Sequence, residues 1–163
     1  MLSAALFCLV VAISDGDTLK VRCGEPGAYR QLTVRLHAVD APELNQPFGR
    51  RAKQALSQIT YRKTARLDCE HGEDRYQRRV CRVQVAPDAC TEVHCPKTLD
   101  VGLAMLTVGM AWWSRAYAGE QSPTERAQYA FAESEAKARR AGLWADRRPV
   151  PPWKWRAEHP RPR

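Results

Sequence analysis

Six cysteines in a chain of 163 residues constrain its fold more than any other feature of the sequence. Cys8 and Cys23 lie symmetrically about an Asp15–Gly16 turn, so they face each other if the flanking segments form a β-hairpin. Opposite cysteines of a hairpin lie at a separation that a disulfide can span. The same argument predicts three cross-strand disulfides, each centred on a turn or loop: Cys8–Cys23, Cys69–Cys81 and Cys90–Cys95.

Two other uses of the cysteines stay open. All six could be buried thiols of a cytosolic protein. Cys90, His94 and Cys95 could also bind zinc, although the sequence has no convincing second half-site for a tetrahedral centre. The hairpin spacing favours disulfides, which form in oxidising compartments, and therefore predicts a periplasmic or secreted protein.

The N-terminal stretch MLSAALFCLVVAIS is apolar but too short for a membrane span, so no membrane span is predicted. It also lacks the positively charged start of a signal peptide. We interpret Leu6–Ser14 as the first strand, and residues 1–5 as the remnant of an export signal.

Alternating apolar and polar residues predict strands in the first third of the chain, and apolar residues at helical spacing predict a helix over roughly 48–60. Two more strands, ARLDCE and RVCRVQV, follow around the loop HGEDRYQR. An apolar helix is predicted within TLDVGLAMLTVGMAW. Ser122, Pro123 and Glu125 form the capping box of a third helix, for which Gly142 fits the C-terminal cap.

The order of elements predicts an α+β fold, a five-stranded OB-fold β-barrel with three α-helices. By length it is one domain, assigned to residues 1–148. The remaining 149–163 form a basic tail rich in proline and tryptophan. Pro151 and Pro152 predict that this tail is extended, anchored by Trp153 or Trp155.

Carboxylates end two strands of a chain whose net charge is +8. The basic charge favours a polyanionic partner, above all nucleic acid. Asp17 and Asp40 can meet at one rim of a barrel, where two carboxylates repel each other unless a cation lies between them. Oxygen ligands favour calcium or magnesium. Taken singly, each aspartate could also be an ordinary turn residue.

Five motifs occur in order: DGDT at 15–18, RLHAVDAPE at 35–43, DRYQR at 74–78, GMAW at 109–112 and AESEAKARRAGLW at 132–144. With these motifs the chain resembles the staphylococcal nuclease (thermonuclease) family, in its bacterial extracytoplasmic type, over about residues 8–145. The resemblance implies an OB-fold barrel, a calcium ion, and endonucleolytic cleavage of DNA and RNA that leaves 3′-phosphates.

The resemblance also implies roles for individual residues. Calcium is implied to bind the carboxylates of Asp17 and Asp40 and the backbone carbonyl of Ala41. The implied catalytic residues are Arg35 and Arg78, which bind phosphate, and Glu43, the general base. Nucleotide contacts are implied for Arg75, Tyr76 and Tyr117, while Gln77 replaces the glycine that the family usually has before Arg78.

Two other functions stay open beside a monomeric nuclease that takes DNA and RNA as substrates. Barrels of this kind also occur as non-catalytic nucleic-acid-binding modules, which generally lose some of the carboxylates or arginines. A secreted, disulfide-rich interaction protein would explain the cysteines and the basic charge, but not five ordered motifs. The retained acidic and basic residues favour catalysis.

Overall fold

The structure, a computed structural model, describes residues 4–162. Residues 1–3, which belong to the predicted remnant of an export signal, and residue 163 lie outside the described range. Across residues 4–162 the strands are β1 (Leu6–Ile13), β2 (Thr18–Cys23), β3 (Arg30–Leu36), β4 (Val39–Asp40), β5 (Thr64–Cys69), β6 (Arg79–Val85), β7 (Leu99–Asp100) and β8 (Trp112–Trp113).

Five of these strands form the predicted closed barrel. They pair in the order β3-β2-β1-β5-β6, and a parallel pairing of β3 with β6 closes the ring. The short strands β4 and β8 pair separately, and β7 extends the edge beside β6. This arrangement confirms the α+β fold and its OB-type barrel.

Four α-helices accompany the strands in the described part of the chain: α1 (Gly49–Thr60), α2 (Val101–Thr107), α3 (Pro123–Ala138) and α4 (Pro152–Glu158). Short 3₁₀ segments occupy Arg115–Glu120 and Gly142–Ala145. The first three helices are the predicted ones, although α2 is much shorter than its apolar sequence suggested. Within residues 4–162, no helix is long and apolar enough to cross a bilayer.

The core lies inside the barrel and beneath the helices. Strand alternation turns Leu19, Val21 and Val34 fully inward, while α1 contributes the fully buried Leu56 and α2 the fully buried Met105. Because β-strand side chains alternate between faces, the polar residues between these positions, such as Lys20 and Arg22, lie outside the core.

The structure contains the three predicted disulfides, Cys8–Cys23, Cys69–Cys81 and Cys90–Cys95. The first two join cysteines that are directly opposite each other in β1–β2 and in β5–β6. The third uses Cys90 and Cys95, so the zinc interpretation of these residues with His94 is wrong. Among residues 4–162, no cysteine is left as a free thiol.

Two sequence predictions were wrong, one about the C-terminal tail and one about the end of α3. The tail is not extended, since Pro152–Glu158 form α4. Pro152 occupies the first turn of this helix, where its missing N–H costs nothing. Gly142 does not cap α3, which ends at Ala138. Arg140, with φ 53°, takes the left-handed conformation after the helix, and Gly142 begins the next 3₁₀ segment.

Replacing Ser122 with alanine tests the capping box of α3. The Ser122 hydroxyl accepts the Glu125 N–H at 3.1 Å, and the Glu125 carboxylate accepts the Ser122 N–H at 2.8 Å. Ser122→Ala should lower the free energy of unfolding by about 1 kcal/mol and the thermal midpoint by about 2–4 °C. Thr124→Ala, an exposed neighbour in the same turn, is the control; equal effects of both changes in a thermal melt would contradict the capping role.

Candidate active site

The turn before β2 brings Asp17 to the barrel rim. The Asp15 carboxylate accepts the Asp17 N–H at 3.0 Å, which is the Asx-type turn that the sequence predicted for Asp15. Burial, and then repulsion from Asp17, raise the pKa of Asp15 to about 7. The Leu36 N–H donates to the Asp17 carbonyl at 2.8 Å, so the start of β2 is joined to the end of β3.

The carboxylate of Asp17 is buried and held in one orientation. One oxygen accepts the Ala41 N–H at 2.7 Å, and the other accepts the Thr18 hydroxyl at 3.0 Å. Gly16 permits this approach, since a Cβ there would lie 2.7 Å from Cβ of Ala41 and 2.6 Å from Cβ of Ala52. Asp17 is therefore fixed by its neighbours rather than free at a turn.

Arg35 lies between the two acidic strand ends. Its guanidinium is 3.4 Å from Asp17 and 3.4 Å from Asp40, and it also donates to the carbonyls of Leu36 (3.0 Å) and Val39 (2.6 Å). Burial alone would lower the pKa of Arg35, but Asp17 and Asp40 raise it above its ordinary value. The structure thus brings Asp17, Asp40 and Arg35 together at the barrel rim.

Asp40 and Glu43 are paired with a residue that the sequence analysis missed. Arg156, from α4, binds both Asp40 oxygens at 3.0 and 2.8 Å and a Glu43 oxygen at 3.0 Å. Arg161 lies 3.4 Å from the other Glu43 oxygen. Burial raises the pKa of Asp40 above its ordinary value, although Arg156 and Arg35 oppose this effect.

The loop that carries Glu43 is packed tightly against α1 and the tail. The Glu43 N–H donates to the Gln46 side chain at 3.1 Å, and the Gln46 amide donates to the Val150 carbonyl at 2.6 Å. A Cβ on Gly49 would lie 1.8 Å from the Glu43 carbonyl oxygen, so only glycine fits there. The backbone of Glu43 is therefore fixed at its N–H by Gln46 and at its carbonyl by the close approach of Gly49.

Arg78 reaches the same rim from the β5–β6 loop. Gln77 adopts the left-handed conformation, with φ 59°, at the position where glycine was expected. Asp74 offsets this strain by accepting the N–H groups of Tyr76 (2.8 Å) and Arg78 (3.0 Å) and the Arg78 Nε at 2.8 Å. Arg78 also lies 3.5 Å from the Thr18 hydroxyl, which itself bonds to Asp17.

The predicted nucleotide contacts differ in exposure. Tyr76 is 56% exposed, and the guanidinium groups of Arg75 and Arg78 lie 4.8 and 5.1 Å from its ring centre. Tyr117 is half-buried, and its ring packs edge-on against His37 at 5.0 Å. Tyr76 is therefore the more exposed of the two rings, whereas Tyr117 already has a packing partner.

Two groups of side chains have the chemistry to hold a metal ion. Asp17 and Asp40, with the backbone carbonyl of Ala41, offer oxygen donors that suit a hard divalent cation such as calcium. His37, Glu70 and Glu120 form the second group, whose ligand atoms lie within 4.8 Å of one another. These three residues are far apart in sequence, and no local pattern predicted that they would meet.

The side chains of the second group contact one another, so each affects the protonation of its neighbours. His37 Nε2 lies 3.1 Å from Glu120 and 3.4 Å from Glu70. Burial, and then the neighbouring Glu120, raise the pKa of Glu70 to about 7. Hydrogen bonds to Glu70 and His37 lower the pKa of Glu120. The two glutamates therefore share one proton near neutral pH.

Glu70→Gln tests this shared proton. The pKa of Glu70 is higher in the folded chain than in the unfolded one, so the folded chain binds the Glu70 proton more tightly. The stability that this proton contributes is fully present below the unfolded pKa and is lost as pH rises through about 7. With excess chelator, we expect the stability of the wild type to fall relative to Glu70→Gln between about pH 4.5 and 7. Urea unfolding at several pH values measures this. Glu73→Gln, exposed in the same loop, is the control and should keep the wild-type profile.

Comparison with known proteins identifies relatives that match most of this chain. The family model described as staphylococcal nuclease homologue matches residues 33–146. An uncharacterized endonuclease of Haemophilus influenzae is 37% identical over 93% of this chain and 73% of its own length. Protein ParB of Escherichia coli is 38% identical over 91% of this chain and 78% of its own. A micrococcal nuclease of Shigella flexneri is 37% identical over 90% of this chain and 78% of its own.

Proposed function

The chain belongs to the staphylococcal nuclease homologue family, and on that premise we propose that it is a calcium-dependent endonuclease that cleaves both DNA and RNA and leaves 3′-phosphate products. That the chain is a nuclease follows from its relatives; the metal, the substrates and the products are our proposal. One observation carries it: Arg35 holds Asp17 and Asp40 within 3.4 Å of a single guanidinium at the barrel rim.

Asp17, Asp40 and the carbonyl of Ala41 are the proposed calcium ligands. Both carboxylates are buried and converge on Arg35, so their oxygens are already grouped around one position. Oxygen donors of this kind suit calcium. When bound there, calcium supplies positive charge to the non-bridging oxygens of the scissile phosphate.

Glu43, Arg35 and Arg78 are the proposed catalytic residues. Glu43 accepts a proton from the attacking water as the water oxygen bonds to phosphorus and the bond from phosphorus to the 5′-oxygen breaks. The phosphate then stays on the 3′-oxygen. Arg35 and Arg78 present planar guanidinium forks that can bind two phosphate oxygens at once and stabilise the charge that develops there.

Substrate binding is proposed to rely on charge and stacking. The net charge of +8 attracts nucleic acid, and Tyr76, with Arg75 beside it, can stack on a base of any identity. Tyr117 is the second proposed contact. Neither feature distinguishes nucleotides by the 2′-hydroxyl, so the same site can bind DNA and RNA.

The three disulfides support a periplasmic or secreted location, where thiols are oxidised. We further propose that the protein works as a monomer, since one chain supplies every residue of the proposed site. The alternative function is a non-catalytic nucleic-acid-binding module, in which the same rim binds but does not cut.

Glu43→Gln and Arg78→Ala separate the two functions. Cleavage of plasmid DNA and of RNA by purified wild type should require calcium and stop with excess chelator. We expect kcat to fall about 10²- to 10⁴-fold in Glu43→Gln and about 10²- to 10³-fold in Arg78→Ala. Glu25→Gln and Arg66→Ala, both exposed, make the same charge changes elsewhere and should retain activity. Binding without cleavage by the wild type at any calcium concentration would favour the binding module.

Single strands should be cut faster than stiff duplex, because a site on a barrel rim must contact one strand and stack Tyr76 on an exposed base. Stacking is worth about 1–3 kcal/mol per base, so Tyr76→Ala should weaken binding of a single-stranded oligonucleotide more than binding of the same sequence as duplex. Tyr61→Ala, exposed at the end of α1, is the control. Equal cleavage rates on single and double strands would contradict this prediction.

A further inference from the structure

The C-terminal helix places a guanidinium on the carboxylates that would hold calcium. Arg156 forms a two-pronged contact with Asp40 and a third contact with Glu43, across more than a hundred positions of sequence. Arg161, farther along the tail, adds a contact to Glu43. Both oxygens of Asp40 and both oxygens of Glu43 therefore have tail arginines as partners.

The tail is attached to the domain independently of this contact. Trp153 packs edge-on against Trp112 at 5.6 Å, and the Val150 carbonyl accepts the Gln46 amide at 2.6 Å. The Arg156 side chain itself is 44% exposed, whereas that of Asp40 is 7% exposed. The guanidinium thus covers the rim from the solvent side and can leave it without unpacking the core.

The charges of the rim depend on whether the tail is docked. Asp17, Asp40 and Glu43 contribute three negative charges, and Arg35 contributes one positive charge, so these four groups carry a net charge of −2. Arg78 is paired with Asp74, and this pair adds no net charge. Docked Arg156 reduces the net charge to −1, and Arg161 reduces it to zero. A divalent cation is therefore attracted much less strongly to the rim when both tail arginines are in place.

We propose that Arg156 is an internal cation that competes with calcium for Asp40 and Glu43, so that docking of the tail arginine and binding of calcium oppose each other. This inference rests on the proposed calcium site and concerns its regulation. Because such coupling is reciprocal, Arg156 lowers the affinity for calcium and calcium loosens the tail to the same extent.

Calcium affinity, measured by titration calorimetry on the full oxidised chain, tests the first half of the proposal. We expect Arg156→Ala to bind calcium about 10-fold more tightly than the wild type, within the usual range of coupling between sites. Lys154→Ala is the matched control: it removes the same charge from the same helix, where Lys154 lies 4.0 Å from Glu158 and contacts no proposed ligand in the described residues. Its affinity should equal that of the wild type.

Hydrogen exchange tests the reciprocal half. Addition of calcium should speed exchange of the α4 amides of residues 153–158 in the wild type and in Lys154→Ala, and should have little effect in Arg156→Ala. Arg156→Lys keeps the charge but loses the two-pronged contact, so its calcium affinity should lie between those of wild type and Arg156→Ala.

The outcomes separate this inference from the proposed function. If the wild type binds calcium and cleaves, but Arg156→Ala binds calcium no more tightly than Lys154→Ala, the competition is overturned while the nuclease stands. If Arg156→Ala binds calcium more tightly than the wild type and Lys154→Ala do, the result supports both the metal site and the competition. If neither the wild type nor Arg156→Ala binds calcium, the proposed metal site fails, and the competition fails with it.

Discussion

The contacts of Arg35 hold together the part of the molecule on which the proposed chemistry depends. This buried guanidinium joins the carboxylates of Asp17 and Asp40 and the carbonyls that end β3 and begin β4. Without Arg35, two chain segments would bring the like charges of Asp17 and Asp40 to one place, at a cost that grows with burial. Among the described residues, Arg35 is the one cation that contacts both carboxylates, and it lets the barrel close with these acidic groups inward.

Much of the fold could be predicted from local signals. Cysteine spacing located two hairpins, because opposite residues of a hairpin are symmetric about its turn, and Ser122 with Glu125 marked the start of α3. The acidic rim was also predictable, since strands that end in carboxylates meet where a barrel closes. These signals depend on neighbours in sequence or on strand pairing, which short patterns encode.

The missed features depend on contacts between distant segments. The seven-residue helix α4 is too short to be stable alone, and its sequence, with Pro151 and Pro152, favours extended chain. Packing of Trp153 on Trp112 and pairing of Arg156 with Asp40 come from tertiary structure. Likewise, nothing near His37 in sequence pointed to Glu70 and Glu120.

The disulfide between Cys69 and Cys81 has a consequence for the loop that it closes. Cys69 ends β5 and Cys81 is the third residue of β6, on either side of the segment that carries Arg75, Tyr76 and Arg78. Closing a loop at its base removes many of the conformations that an open loop would sample. Part of the entropy needed to order the segment that carries Arg78 is therefore lost when the protein is oxidised and folds, and a ligand that binds this segment has less conformational freedom left to remove.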